Sequence, residues 1–259
     1  MSLHFKSMNI QKNKFKEALI NGTPQKGLWT TLSSSYSTEV LAGAGFDWML
    51  LDMEHSPNEM DTILGQLQVL AGYPVNAVVR PVWNDTLLIK RLLDIGVQTI
   101  LLPYVQTAGE AENAVRAMRY PPRGIRGVSN VTRATQFGRV KDYMKVCEAE
   151  LCLLVQIETQ TSLDHLEAIA SVDGVDGVFI GPADLSASLG YPGQQSHPTV
   201  IKTIEDAIKR IRACGKGAGI LTGDSTLAKQ YIKAGSTFTA VGVDAALLAR
   251  AGEALAQQF

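Results

Sequence analysis

Residues 92–103, LLDIGVQTILLP, compress one structural unit into a dozen positions. The leading leucines have the spacing of a helix end, Gly96 follows, and a short apolar run closes at Pro103. A glycine just past a helix accepts the left-handed backbone that stops it, so the chain turns straight into a strand. The same order recurs at 41–52 (LAGAGFDWMLLD), 171–181 (SVDGVDGVFIG), 212–221 (RACGKGAGIL) and 232–242 (IKAGSTFTAVG). Helical spacing fills the intervals. Over 85–96, Leu88, Leu92 and Ile95 share a face, with Asn84 or Asp85 available as N-cap.

Working outward from these units yields eight strands: Gly27–Thr31, Phe46–Asp52, Ala77–Arg80, Thr99–Pro103, Cys152–Ile157, Gly177–Ile180, Gly217–Leu221 and Phe238–Gly242. Runs such as CLLVQI and VFI lack polar alternation, as expected for parallel strands covered on both faces. Eight βα units in 259 residues match the roughly 30 residues per unit of a (β/α)8 barrel. No G-x-G-x-x-G follows any strand, which argues against a dinucleotide-binding open sheet. The expected fold is therefore α/β, a single (β/α)8 TIM barrel over 15–259, preceded by a tail at 1–14.

Composition narrows the function. With 24 Lys+Arg against 25 Asp+Glu, the net charge of −1 leaves no electrostatic footprint for nucleic acid or an anionic membrane. Cys147, Cys152 and Cys214 are odd in number and contain no C-x-x-C, so neither a disulfide framework nor a thiolate zinc site is expected. Residues 1–15 are polar and Lys-rich without the apolar core of a signal peptide. No stretch reaches the ~18 apolar residues of a membrane span. A cytoplasmic protein with reduced thiols is the expectation.

Two connections run long: 120–140 (YPPRGIRGVSNVTRATQFGRV), after a helix at 108–119, and 181–198 (GPADLSASLGYPGQQSHP). Long loops in compact domains are commonly functional, and both are expected at the C-terminal rim, where barrel active sites sit. The strand ends bring charged residues to that rim: Asp52, Glu54, His55, Arg80, Glu158 and Asp184. Arg80 ends an apolar strand (NAVVR) and needs an anionic partner, either Asp52 or Glu54 in a salt bridge or a substrate oxyanion. Glu158 and Asp184, on neighbouring strands with no Cys or His beside them, form the oxygen pattern of a hard cation such as Mg²⁺ or Mn²⁺. Otherwise Glu158 pairs with an arginine and Asp184 caps the next helix. His55 titrates near neutral pH and is placed for proton transfer, with Asp52 three residues earlier able to orient it. No lysine stands at a C-terminal strand end; Lys216 precedes strand seven. That disfavours imine chemistry.

The motifs GLWTTLSSSYSTEVLAGAGFDWMLLDMEHSPN, VVRPVWND, YPPRGIRG, LLVQIET, GVDGVFIGPADLSASLGY and AVGVDAALLARA, in this order, resemble the metal-dependent pyruvate aldolases. Within them, the chain is most similar to the 4-hydroxy-2-oxoheptane-1,7-dioate aldolases of aromatic degradation, from about Phe15 to Phe259. The resemblance implies cleavage of a 4-hydroxy-2-oxo acid to pyruvate and an aldehyde. It implies a divalent cation (Mg²⁺, Mn²⁺ or Co²⁺) on Glu158 and Asp184, His55 as base and Arg80 on the oxyanion. It also implies that Asp94 raises the basicity of the histidine, by loop packing or from another subunit. Pyruvate contacts fall on Gln156, the backbone around Ala183, and Asp184, with Trp29 and Leu221 bordering the aldehyde. A hexamer with exchanged C-terminal helices is implied too. The alternatives are a 2-dehydro-3-deoxy sugar-acid aldolase, which shares the pyruvate chemistry, a lyase of acyl-CoA esters, and a barrel that only binds a keto acid.

Overall fold

The computed structural model describes residues 8–259. Its eight strands are β1 (Gln25–Thr30), β2 (Trp48–Asp52), β3 (Asn76–Arg80), β4 (Thr99–Leu102), β5 (Cys152–Ile157), β6 (Gly177–Ile180), β7 (Gly217–Leu221) and β8 (Phe238–Val243). They pair in parallel in sequence order, and β8 returns to β1 to close a barrel with helices outside. This is the (β/α)8 barrel expected, with every strand end within two residues of its expected position. Gly96, at φ +94°, and Gly235, at φ +120°, take the left-handed backbone that the helix-to-strand turns require.

Large side chains fill the barrel interior. Phe15, Trp48, Leu154, Phe179 and Phe238 form one buried cluster inside the strands. Room for the rings comes from glycines on adjacent strands. A Cβ at Gly27 would lie 2.1 Å from the Trp48 indole, and one at Gly219 would lie 2.1 Å from the Phe238 ring. The helix Lys14–Ile20, capped by Asn13, closes the N-terminal end of the barrel by driving Phe15 edge-on against Trp48 (5.9 Å) and Phe238 (5.7 Å). Residues 8–13, read as part of a tail, are fastened to this end. Asn13 bonds Thr99 Oγ1 and Glu150 Oε2, each at 2.9 Å, and Met8 N–H donates to Arg139 O. Residues 1–7 of that tail lie outside the described residues.

Two sequence expectations are corrected. On the helix Thr86–Asp94, capped by Asp85, the buried side chains are Ile89, Leu92 and Leu93, while Leu88 and Ile95 are half-buried. The core takes a stripe displaced from the one read. The long connection 120–140 does not reach the C-terminal rim. It follows the helix Ala108–Met118, which carries the chain back to the opposite end, where Ala134 N–H donates to Asp94 O and Arg133 donates to Ile95 O. Any segment placed after a barrel helix and before the next strand belongs to the N-terminal face. The connection after β6 stays at the rim, because only the short helix Pro182–Ser188 intervenes and Gln195 still lines the mouth. The three cysteines are free. Among the described residues, no helix is long and apolar enough to cross a membrane.

Candidate active site

A cavity of about 320 Å³ opens at the C-terminal mouth, lined by Trp29, His55, Arg80, Gln156, Ala183, Asp184 and Leu221 among others. Arg80, the last residue of β3, is pinned by two carboxylates. Its Nε and Nη2 donate to Asp52 Oδ1 (2.9 Å) and Oδ2 (2.7 Å), and its Nη1 lies 2.8 Å from Glu54 Oε2. The guanidinium sits 4.8 Å over the Trp29 ring, whose Nε1 donates to Asp52 as well. Hydrogen bonds to Asp52 take two of the five N–H groups of an arginine, and the contact with Glu54 is an ion pair without hydrogen-bond geometry. The remaining N–H groups belong to a side chain that lines the cavity. The salt-bridge alternative is the one the structure shows, and the carboxylates fix the orientation of the guanidinium at the cavity wall. Burial alone would raise Asp52, but Arg80, Trp29 and the Glu54 N–H outweigh it and hold the carboxyl below the ordinary range.

His55 hangs over this rim with its side chain 66% exposed, and the acid beside it is Glu54, at 3.9 Å. Asp52 does not orient the ring, contrary to the sequence reading, because its oxygens are occupied by Arg80, Trp29 and a backbone N–H. What fixes the loop carrying His55 is the Asp52 carbonyl, which accepts from Ser56 Oγ and from Asn58 Nδ2 (2.7 Å). Asn58 in turn accepts from Gln66 at 2.7 Å, tying the loop to the helix Met60–Leu70.

Glu158 follows β5 and is buried. No arginine meets it. Its carboxylate accepts from Tyr104 N–H at 2.8 Å and from Gln156 Nε2 at 2.5 Å. Tyr104 holds φ +55°, a strained backbone for a tyrosine, and thereby aims its N–H at Glu158. Nothing in the sequence signals this contact. Gly181 leaves the space for the carboxylate: a Cβ there would lie 2.4 Å from Glu158 Oε2. Asp184 stands in the first turn of the helix Pro182–Ser188, yet makes no capping hydrogen bond and is exposed.

Burial pushes Glu158 up to about 7, against the pull of its hydrogen bonds, and the charges of Asp184 and Glu54 add to the rise. Glu54 is raised by burial, partly offset by Arg80. A buried carboxylate raised by burial and by neighbouring negative charge is one that a cation would stabilise. Gln156 Oε1, buried without a partner, supplies a further oxygen dipole nearby. The donors are all oxygen, which suits a hard divalent ion. Among the described residues, no three His, Cys, Asp or Glu side chains are arranged to hold one ion. Glu158 and Asp184 therefore suit an ion that is shared with substrate and water oxygens. An ion held by Glu158 would compete with a proton there, so its affinity is expected to fall as pH drops through about 7, with up to one proton released per ion bound below that pH. Calorimetric titration of Mn²⁺ in buffers of different ionisation enthalpy measures this release.

Asp94 lies elsewhere. It ends a helix on the N-terminal face and pairs with Arg126 at 2.9 Å. The strands between that face and His55 span roughly 15 Å at about 3.3 Å per residue, so Asp94 does not reach His55 of its own chain. Sequence reading missed the Arg126 partner, which comes from a loop 32 positions away.

The chain is similar to known proteins over most of its length. The model of the HpcH/HpaI aldolase/citrate lyase family matches residues 25–251. A pyruvate aldolase of Rhizobium etli is 60% identical over 97% of this chain and 99% of its own length. A 4-hydroxy-2-oxo-heptane-1,7-dioate aldolase of Salmonella paratyphi A is 57% identical over 96% of this chain and 95% of its own length. Among solved structures, an HpcH/HpaI aldolase/citrate lyase family protein from Burkholderia cenocepacia superimposes with a TM-score of 0.92 at 38% identity, covering 95% of this chain and 99% of that one. The chain belongs to the HpcH/HpaI aldolase/citrate lyase family. It is an aldolase, a carbon–carbon lyase.

Proposed function

We propose that this aldolase cleaves 4-hydroxy-2-oxoheptanedioate reversibly to pyruvate and succinate semialdehyde, with a divalent cation (Mg²⁺, Mn²⁺ or Co²⁺) held by Glu158 and Asp184. The observation that carries the reading is one mouth lined by an exposed imidazole, a locked guanidinium and the Asp184 carboxylate, with the Glu158 carboxylate buried against Gln156 and Gly181 of its wall. Two curated relatives at 57–60% identity bear the corresponding names.

When bound, the cation supplies Lewis-acid polarisation of a 2-oxo carbonyl and offsets the substrate carboxylate. Gln156 and the backbone around Ala183 position the keto-acid end beside Asp184. His55 accepts the proton of the C4 hydroxyl. The C3–C4 bond then breaks, its electron pair passes into an enolate, and the N–H groups of Arg80 that Asp52 does not engage face the oxygen that gains charge. Return of a proton to C3 completes pyruvate. Trp29, Phe179, Leu221 and Val243 give the cavity an apolar wall that strengthens these charges by excluding water and suits an aliphatic aldehyde.

In this reading Asp94 acts on His55 of the partner subunit, because its own chain holds the two at opposite barrel ends. Assembly as a homohexamer accords with the C-terminal helix Asp244–Ala256, which exposes Leu247, Leu248 and Leu255 at 50%, 64% and 59%. Apolar residues exposed together on a helix mark a contact surface. Cleavage rates on 4-hydroxy-2-oxoheptanedioate and on a 2-dehydro-3-deoxy sugar acid test the substrate. A higher kcat/KM for the aliphatic diacid is expected; a preference for the sugar acid would move the assignment to that branch.

A further inference from the structure

Arg126, in the stretch YPPRGIRG at 120–127, has no part in the mouth, yet it is among the most completely buried large side chains of the protein, at 1% exposure. Its guanidinium lies 4.6 Å from the Tyr120 ring centroid and 5.8 Å from that of Tyr143. Burial raises both phenols, Tyr120 to about 12, so neither offers a negative charge. Among the described residues, its carboxylate partner is Asp94, which accepts from Nη2 at 2.9 Å, while Nε and Nη1 make no hydrogen bond of good geometry. A buried guanidinium left with idle N–H groups is a poor stabiliser, and an apolar side chain of similar volume commonly serves a core as well or better. What the pair does provide is orientation.

The surrounding backbone is built for that. Ile125 N–H donates to Arg116 O (2.8 Å) and Arg126 N–H to Arg119 O (2.9 Å), folding the loop against the end of the preceding helix. Gly124 makes the fold-back possible, since a Cβ there would lie 2.2 Å from Arg119 O. On the other side, Ala134 N–H holds the Asp94 carbonyl at 3.1 Å. The Asp94 side chain is 26% exposed: Oδ1 is held from beneath by Arg126, and Oδ2 accepts from no donor among the described residues.

We propose that Arg126 is a positioning residue, which fixes the Asp94 carboxylate in one orientation so that its second oxygen meets His55 of the partner subunit. This rests on the reading of Asp94 given under the proposed function. The test is complementation in oligomers of coexpressed, differently tagged chains, read as pyruvate release from a 4-hydroxy-2-oxo acid. Arg126→Met alone is expected to lower kcat roughly 10- to 100-fold at unchanged KM, the range for partners that orient a functional group. Mixed with His55→Ala chains it regains activity, because intact His55 again meets an intact Asp94–Arg126 pair. Mixed with Asp94→Asn chains it regains none, because both lesions lie on the same donating face. Recovery in that last mixture overturns the inference, as does a wild-type rate for Arg126→Met beside a slow Asp94→Asn. If Asp94→Asn and His55→Ala chains do not rescue each other, the cross-subunit reading of Asp94 falls first and the inference with it. Should Arg126→Met fold poorly, Arg126→Lys enters the same mixtures with the same expected outcomes.

Discussion

Arg80→Lys is expected to lower the rate of cleavage by about 10²- to 10³-fold, the loss that follows removal of one preorganised oxyanion donor. The size of the effect comes from geometry, since the charge is conserved. Arg80 satisfies both oxygens of Asp52, reaches Glu54, and still has N–H groups to spare. An ammonium is a compact charge with no planar fork. Held by the buried Asp52, it has nothing to present to the cavity. A second consequence concerns acid stability. Asp52 is held below the ordinary carboxylate range mainly by Arg80, so it contributes stability that is present above about 3.8 and lost as pH falls through its depressed folded value. The lysine variant keeps less of this contribution and should melt at a lower temperature at pH 7. Steady-state kinetics beside thermal melts measure both, and near-normal turnover removes Arg80 from the mechanism.

Glu158→Gln should have the larger effect on cation affinity and the opposite effect on stability. On the proposed reading, in which Glu158 is one of two charged ligands, the substitution is expected to weaken Mn²⁺ binding ~100-fold, and turnover with it. The folded protein without metal, by contrast, should gain. With a folded value of about 7 against an ordinary 4.5, Glu158 binds its proton more tightly in the native state. Its carboxyl therefore disfavours folding increasingly as pH rises from about 4.5 to about 7, by roughly 3 kcal/mol once ionised. A glutamine carries no such cost. Denaturant titrations of both proteins with chelator at pH 8 should show the variant as the more stable. A variant less stable than the parent at that pH would mean that Glu158 serves the fold.

Much of this was legible in the sequence because it follows from local rules. Glycines such as Gly96 and Gly235 end helices, and the apolar runs after them have only one place in a parallel barrel, so strand ends were read to within two residues. Once strands are placed, topology carries His55, Arg80, Gln156, Ala183 and Asp184 to one mouth without knowledge of their chemistry. Contacts made over long sequence separations stayed hidden. That Asp52 serves Arg80 and not His55 depends on register between β2 and β3. The N–H of Tyr104 reaches Glu158 only through an unusual backbone angle. The length of 120–140 suggests the C-terminal rim, but the helix Ala108–Met118 reverses the chain before it and sets it on the opposite face. The closing of the barrel floor by Phe15 was missed because the short helix Lys14–Ile20 buries just two side chains, too few for a periodic signal.

The central claim, that this mouth forms a pyruvate enolate with the help of a divalent cation, is tested most directly by exchange of the pyruvate methyl protons with D₂O, followed by NMR. Protein stripped with chelator should show no exchange, and added Mg²⁺, Mn²⁺ or Co²⁺ should restore it in the parent but not in Glu158→Gln. Exchange that continues without metal and is stopped by borohydride would contradict the account, because it would place an imine-forming lysine where none has been found.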